Sequence, residues 1–214
     1  MNFELKSMTR SDWADVAAAL ERRRLIAVPT DTVYGIACKP EPEALKRLYA
    51  AKGREPEKPV ALVFDDFIRL VHMYTRLPAA VLNAAEELLP GAVTLVLPAP
   101  AGAEEKPGAM VAFQGGIGVR VLPLPEAALF QRLPTPLALT SANISGGPDP
   151  CAIDEIPDRV RDACEFVLDA GRIAGCAAST VIDLRPLAAD APARILREGA
   201  MPRKEVAALI GKIT

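Results

Sequence analysis

Hydroxyl, amide and basic side chains follow apolar runs in four separated segments of the 214-residue chain. Cations grouped with neutral hydrogen-bond donors suit a polyanion such as a nucleoside triphosphate, because each charge-assisted hydrogen bond contributes roughly 1.5–3 kcal/mol. Fixed positive charge would also stabilise phosphoryl or nucleotidyl transfer. Two further cations, Arg120 and Arg197, lie inside predicted strands. The residues of the four segments are Thr30 and Thr32; Lys52, Arg54 and Lys58; Thr140, Ser141 and Asn143; Ser179 and Thr180.

The motifs of several other chemistries are missing from the sequence. It has no G-x-S-x-G nucleophile elbow and no G-x-x-x-x-G-K-[ST] phosphate loop, and Gly116-Ile117-Gly118 lacks the third glycine of a dinucleotide fingerprint. The single histidine, His72, cannot build a convincing catalytic triad. The four cysteines show no C-x-x-C spacing, so we predict no protein-bound metal and expect four reduced, mostly buried thiols.

Composition and charge limit the class of partner. The formal net charge of −2 argues against a protein that binds nucleic acid over its whole surface, although it is compatible with a local basic cleft. The N-terminus lacks the pattern of a secretion signal, and no apolar run approaches the roughly 20 residues of a membrane helix. We therefore expect a soluble, cytoplasmic protein that does not contact a membrane.

Alternating strand and helix signals predict a single α/β domain over residues 1–214. The run 25–28 is predicted as a buried strand that delivers the polar residues 29–35 to its carboxyl end, where open α/β sheets bind ligands. Residues 99–116 are predicted to form a long flexible loop that could act as a lid. Further strands are predicted at 60–64, 93–97, 117–122, 136–139, 165–168, 179–184 and 194–199, and helices after Thr9 or Ser11, at 42–52, after Asp65, and at 78–89, 126–133, 154–164 and 202–210.

Arg120 stands between apolar neighbours in the interior of the predicted strand 117–122. A buried guanidinium is costly unless an anion meets it. The sequence leaves open whether that anion is a carboxylate of the protein or a ligand.

Six motifs of this chain resemble the YrdC family, and they occur in family order over about residues 12–200. The resemblance implies a twisted, mixed parallel and antiparallel sheet flanked by helices, with a concave basic face. It also implies L-threonylcarbamoyladenylate synthase activity, in which L-threonine, bicarbonate and ATP give threonylcarbamoyl-AMP and pyrophosphate for the modification of tRNA. The motifs are Pro29-Thr30-Asp31-Thr32-Val33-Tyr34-Gly35, Lys52-Gly53-Arg54 with Lys58-Pro59, Leu89-Pro90-Gly91 with Val93-Thr94-Leu95, Gly118-Val119-Arg120, Thr140-Ser141-Ala142-Asn143-Ile144-Ser145-Gly146 and Ser179-Thr180-Val181-Ile182-Asp183.

The resemblance also implies roles for individual residues. The residues expected around L-threonine are Thr32, Arg120 and Ser179, and those expected around ATP are Lys52, Arg54, Lys58, Ser141, Asn143 and Arg197. Lys52 and Arg54 are the expected catalytic residues, and Mg²⁺ is expected to be held mainly by the phosphates of ATP. Two positions depart from the family pattern: Val63 stands where some members have a histidine that contacts threonine, and Glu198 follows Arg197 where proline is common.

The resemblance extends to partners, and it leaves two other functions open. The expected partner downstream is the tRNA threonylcarbamoyl transferase complex, with direct contact to tRNA or double-stranded RNA as a further possibility. One alternative function is a non-enzymatic protein of the same fold that binds double-stranded RNA or takes part in ribosome maturation. The other is a carbamoyltransferase that uses carbamoyl phosphate.

Overall fold

One mixed β-sheet runs through the part of the chain that the computed structural model describes, which is residues 2–55, 58–73, 77–99, 112–113 and 115–214. The strands follow one another across the sheet in the order β1-β9-β2-β3-β8-β4-β7-β5-β10-β11, and β6 pairs with β7. The pairs β1–β9, β2–β9, β4–β7 and β5–β10 are parallel and the others antiparallel, so the expected mixed α/β sheet is confirmed. The strands are β1 Asn2–Glu4, β2 Leu25–Val28, β3 Gly35–Cys38, β4 Ala61–Phe64, β5 Val93–Pro98, β6 Ala112–Phe113, β7 Gly116–Val121, β8 Leu137–Ser141, β9 Cys164–Asp169, β10 Thr180–Asp183 and β11 Arg194–Arg197.

Helices cover one face of the sheet more completely than the other. On the first face, α2, α3, α4, α6 and α7 enclose the larger hydrophobic core. On the second face, α1 and α5 enclose a smaller core, which includes Val16, Phe130 and Leu137. No helix in the described ranges is long and apolar enough to span a membrane. The helices are α1 Arg10–Glu21, α2 Pro42–Lys52, α3 Phe67–Met73, α4 Ala79–Leu88, α5 Glu126–Phe130, α6 Asp158–Asp162 and α7 Arg203–Ile210, with 3₁₀ turns at Leu5–Ser7, Ile153–Glu155 and Arg185–Ala189.

Local signals define the ends of the helices that flank the central strands. Thr9 caps α1, because its hydroxyl accepts from the Asp12 amide while the Asp12 carboxylate accepts from the Thr9 amide. Pro42 begins α2, and Gly53 ends it in the left-handed conformation with φ of 57°. These boundaries agree with the sequence-based prediction.

The polar stretch after β2 is the turn of a hairpin rather than the tip of an isolated strand. The sequence pattern did not predict β3, which pairs antiparallel with β2, so that Val28 lies opposite Gly35. The Thr30 hydroxyl accepts from the amides of Thr32 and Val33 and donates to the Val33 carbonyl at 2.7 Å. This bonding holds the turn in one conformation, which fixes the direction of its side chains.

Three further predictions about elements need correction or fall outside the described chain. Asp66 rather than Asp65 precedes α3 and accepts from the Arg69 amide, because Asp65 is bonded to the Arg69 guanidinium and to Thr135. The predicted helix 154–164 is reduced to a 3₁₀ turn and the short α6, because Pro157 interrupts it. Most of the expected lid, residues 100–111 and 114, lies outside the described residues.

The expectation of four free thiols is wrong. Cys151 and Cys176 form a disulfide with their Cα atoms 5.6 Å apart, while Cys38 and Cys164 are free and buried. A separation of 25 residues matches no spacing motif, so only the folded chain brings the pair together. Burial raises the pKa of both free thiols to about 12, which keeps them protonated and unreactive.

Thiol counting tests this pairing. Protein purified without reductant and then unfolded should take up two iodoacetamide labels per chain, because only Cys38 and Cys164 are free. The number should rise to four after reduction, as read by intact mass. A Cys38→Ser control should lose one label in each condition, and four labels without reductant would contradict the disulfide.

Candidate active site

A cleft of about 410 Å³ lies on the part of the second sheet face that α1 and α5 leave uncovered. Its floor comes from alternate residues of neighbouring strands, which share one face of a sheet. On β7 these are Gly116, Gly118 and Arg120, and on β5 they are Thr94 and Val96. The other residues around the cleft are Thr30, Thr32, Val33, Gly35, Arg54, Pro59, Val60, Ala61, Leu139, Thr140, Ser141, Ala178, Ser179, Val181, Arg185, Leu196 and Arg197.

Two glycines keep the floor of the cleft open. A Cβ atom at Gly116 would lie 2.7 Å from the Val96 Cγ1 atom, which is too close for any real side chain. A Cβ at Gly118 would make ordinary contacts of 3.5 Å with Ala61 and Thr94, so glycine there leaves space rather than relieving a clash. Small residues across three adjacent strands therefore make room for a ligand.

The anionic partner of Arg120 is a carboxylate of the protein. The Arg120 Nη2 atom donates to Asp31 Oδ1 at 2.7 Å, and both side chains are only 7 % exposed. Arg120 also donates from Nη1 to the Thr32 hydroxyl at 3.2 Å and from Nε to the Val93 carbonyl at 3.1 Å. Burial raises the pKa of the Asp31 carboxyl, and the charge of Arg120 opposes that rise.

Ser179 and Thr94 close the same end of the cleft. Sequence reasoning did not predict Thr94 as a residue of the site. The hydroxyls of Ser179 and Thr94 lie 2.8 Å apart, and Arg197 donates to the Ser179 carbonyl at 2.8 Å. Thr94 alternates with buried Val93 and Leu95 along β5. That alternation, together with its polar side chain, was the available signal for a residue facing the cleft.

Arg54 and Lys58 lie on one loop, but only Arg54 lines the cleft. The Arg54 guanidinium donates to the carbonyls of Lys58 and Pro59, at 3.2 and 2.9 Å, which fix its position on the cleft wall. The Lys58 side chain is 53 % exposed and pairs with Glu55, so its ammonium stays outside the cleft.

Lys52 lies beneath the cleft wall and is almost completely buried, with 1 % exposure. Its ammonium donates to the Ser141 carbonyl, to the Asn143 carbonyl at 2.8 Å and to Asn143 Oδ1 at 2.7 Å. The Ser141 hydroxyl donates to the same Asn143 oxygen at 2.8 Å. Burial, followed by the charge of Arg54, lowers the pKa of Lys52 to about 8, so the ammonium form still dominates at pH 7.

The two departures from the family pattern lie away from the cleft lining. Val63 is fully buried in the smaller core, two residues beyond the cleft-lining Ala61 on the same strand. Glu198 accepts from the Arg203 amide at the start of α7. Neither side chain therefore adds a polar group to the cleft.

Among the described residues, four arginines bring positive charge to the cleft, and sequence reasoning missed one of them, Arg185. Arg120 is paired with Asp31, and Arg185 with Asp183 at 2.8 Å. Within the described ranges, Arg54 and Arg197 have no carboxylate partner, and no group of three or more His, Cys, Asp or Glu side chains could hold a metal ion. The cleft therefore offers an anion two guanidinium groups that no carboxylate of the described residues compensates.

A match to a protein-family model identifies the sequence family of this chain. The model of the Sua5, YciO and YrdC family, described as "Telomere recombination", matches residues 18–199. That span is most of the chain, and the chain belongs to this family.

Curated relatives carry a specific enzyme name. The threonylcarbamoyl-AMP synthase of Pyrococcus abyssi is 32 % identical over 200 residues, which make up 92 % of this chain and 56 % of that protein. The enzyme of the same name from Bacillus subtilis is 30 % identical over 206 residues, covering 94 % of this chain and 57 % of the relative. The chain thus spans little more than half the length of these two relatives.

Solved structures share the fold. The structure of P. abyssi Sua5 complexed with L-threonine superposes with a TM-score of 0.84 and 29 % identity, covering 100 % of this chain and 62 % of that one. Escherichia coli YciO superposes with a TM-score of 0.74 over 94 % of each chain; at 23 % identity this likeness concerns the fold alone.

Replacing Lys52 tests its part in holding the cleft wall. Lys52→Met should lower the free energy of unfolding by at least about 2 kcal/mol, because the ammonium's three hydrogen bonds to oxygen atoms of Ser141 and Asn143 are lost. Urea unfolding followed by circular dichroism measures this loss.

The matched control is Lys46→Met on the same helix, where an exposed ion pair with Glu43 is removed. Its effect should stay within about 0.5 kcal/mol. Equal effects of the two substitutions would contradict a wall held by Lys52.

Proposed function

We propose that this chain is a threonylcarbamoyl-AMP synthase, with residues 1–214 acting as one catalytic domain. The reaction joins L-threonine, bicarbonate and ATP and releases pyrophosphate and water. The observation that carries the proposal is a cleft in which a buried arginine and hydroxyl groups adjoin two arginines that have no carboxylate partner among the described residues. The names of the relatives and the threonine complex of P. abyssi Sua5 support it.

L-Threonine would occupy the buried end of the cleft. Arg120 would offer its remaining N–H groups to the substrate carboxylate, since a guanidinium has five donors and described residues take three of them. Thr32 and Ser179 offer hydroxyls that can both donate to and accept from a small polar ligand. Both side chains are less than 10 % exposed, so the amino acid would be largely shielded from water.

ATP would lie along the wall that Arg54 and Ser141 form and extend towards Arg197. Lys52 and Asn143 would act beneath this wall, because their bonds to each other and to Ser141 hold it in place. Lys58 would interact weakly from the cleft margin, as exposed charges do. We expect Mg²⁺ to enter with ATP, coordinated mainly by phosphate oxygens and water.

The chemistry needs positioning and positive charge rather than a protein nucleophile. The ammonium group of threonine loses a proton, and bicarbonate takes up a proton and decomposes into water and carbon dioxide. The free amine attacks carbon dioxide to form a carbamate, which releases a second proton. A carbamate oxygen then attacks the α-phosphorus, the bond to the bridging oxygen of the β-phosphate breaks, and pyrophosphate leaves. Arg54 and Arg197 would stabilise the charge that develops on this leaving group.

The product is a small, activated molecule that a tRNA-modifying transferase complex would consume. The proposal therefore needs no contact between this chain and RNA. Tight, salt-dependent binding of double-stranded RNA without ATP turnover would instead favour the RNA-binding alternative. Turnover of carbamoyl phosphate in place of threonine and bicarbonate would favour the carbamoyltransferase alternative.

Arg54→Ala tests the proposed catalytic wall. Pyrophosphate release that depends on both L-threonine and bicarbonate should fall by about 100-fold or more, because a charge-assisted contact to the leaving group is lost. The circular dichroism spectrum should not change, since the hydrogen bonds that the Arg54 side chain makes with described residues stay within its own loop.

Lys58→Ala is the matched control on the same loop. Its activity should fall by less than about fivefold, because its ammonium is exposed and paired with Glu55. Near-normal activity of Arg54→Ala, or equal losses in both variants, would contradict this site. Absence of threonine-dependent pyrophosphate release in the unaltered protein would overturn the proposed function itself.

A further inference from the structure

The two carboxylate oxygens of Asp31, which lies beside the cleft, differ in their hydrogen bonding. Its Oδ1 atom accepts from Arg120, whereas its Oδ2 atom is buried and has no hydrogen-bond partner among the described residues. Buried polar atoms without a partner are rare in folded proteins, and each one needs a physical reason. Asp31 lies between Thr30 and Thr32, which both line the cleft.

The orientation of the Arg120 guanidinium does not by itself require a charged residue at position 31. The Val93 carbonyl and the Thr32 hydroxyl already orient the guanidinium from two sides. A neutral acceptor such as an asparagine carbonyl could receive the remaining hydrogen bond. The carboxylate does more than complete this geometry: it compensates the buried charge of Arg120, and it also places a negative charge beside the cleft.

That negative charge changes which ligands the cleft attracts. Toward a ligand that carries only a carboxylate, Asp31 weakens the attraction of Arg120 by cancelling its charge. Toward a zwitterion, the pair offers one charge of each sign. Because both side chains are 7 % exposed, these charges act in a medium of low dielectric and are poorly screened by water.

We propose that Asp31 is a specificity-determining residue that selects an α-amino acid in its zwitterionic form, with Arg120 facing the carboxylate and Asp31 attracting the ammonium. This inference rests on the proposed function and names the feature of threonine that the cleft reads. It needs no direct contact with Oδ2, because the attraction between unlike charges extends over several ångströms in a buried site.

The test compares L-threonine with (3R)-3-hydroxybutanoate, which has the same hydroxyl and carboxylate but no amine. Calorimetry is done at pH 7 in the presence of an unhydrolysable ATP analogue. The unaltered protein should bind L-threonine at least about tenfold more tightly than the deamino compound. Asp31→Asn should lose about tenfold in affinity for L-threonine, while its affinity for 3-hydroxybutanoate stays the same or rises.

Each contrary result has one meaning. Equal losses for both ligands in Asp31→Asn would show that Asp31 only positions Arg120, which overturns the inference, as would unchanged affinity for L-threonine. If Asp31→Asn does not fold, the unaltered protein still decides, because equal affinity for the two ligands overturns the inference. Failure of the unaltered protein to bind L-threonine at all would overturn the proposed function and the inference with it.

A matched control is Asp65→Asn, which removes another carboxylate bonded to an arginine, because its partner Arg69, unlike Arg120, does not line the cleft. Its affinities for both ligands should equal those of the unaltered protein. A threonine-specific loss in this control as well would assign the effect to general destabilisation and overturn the role of Asp31.

Discussion

Burial of the Arg120 guanidinium is the constraint on which the cleft depends. An isolated charge in the interior of a sheet is costly, and the cost is offset only when an opposite charge and further acceptors surround it. Asp31 supplies the charge from the β2–β3 turn, and Val93 supplies a carbonyl from β5. One side chain of β7 thus links two other parts of the sheet, and the Thr30 hydroxyl holds the turn in the conformation that this link requires.

The cleft exists because helices cover the two faces of the sheet unequally. The larger core lies under five helices on the first face, whereas α1 and α5 cover one side of the second face. The strands that remain uncovered carry glycine, alanine and threonine at the positions that face outward, such as Gly118, Ala61 and Thr94. Bulky apolar residues at those positions would have continued the smaller core and removed the space for a ligand. The small size of these residues is therefore as important for the cleft as the arginines at its margin.

Sequence reasoning predicted what depends on local pattern and missed what depends on pairing at a distance. Strands such as β5 and β7 and the ends of α2 followed from periodicity and from proline and glycine signals. The sequence also indicated that Arg120 needs an anion, but it could not identify Asp31, because 89 residues separate the two partners. The same limit applies to the disulfide between Cys151 and Cys176. The positive charge of Lys58 did not predict where its side chain lies, because its exposed ammonium pairs with Glu55 outside the cleft.

A crystal structure of the protein with L-threonine and an unhydrolysable ATP analogue tests the central claim most directly. Both ligands should lie in the one cleft, with the threonine carboxylate on Arg120, its ammonium on the side of Asp31, and the triphosphate between Arg54 and Arg197. Threonine bound away from Arg120, or a nucleotide bound outside the cleft, would contradict that claim.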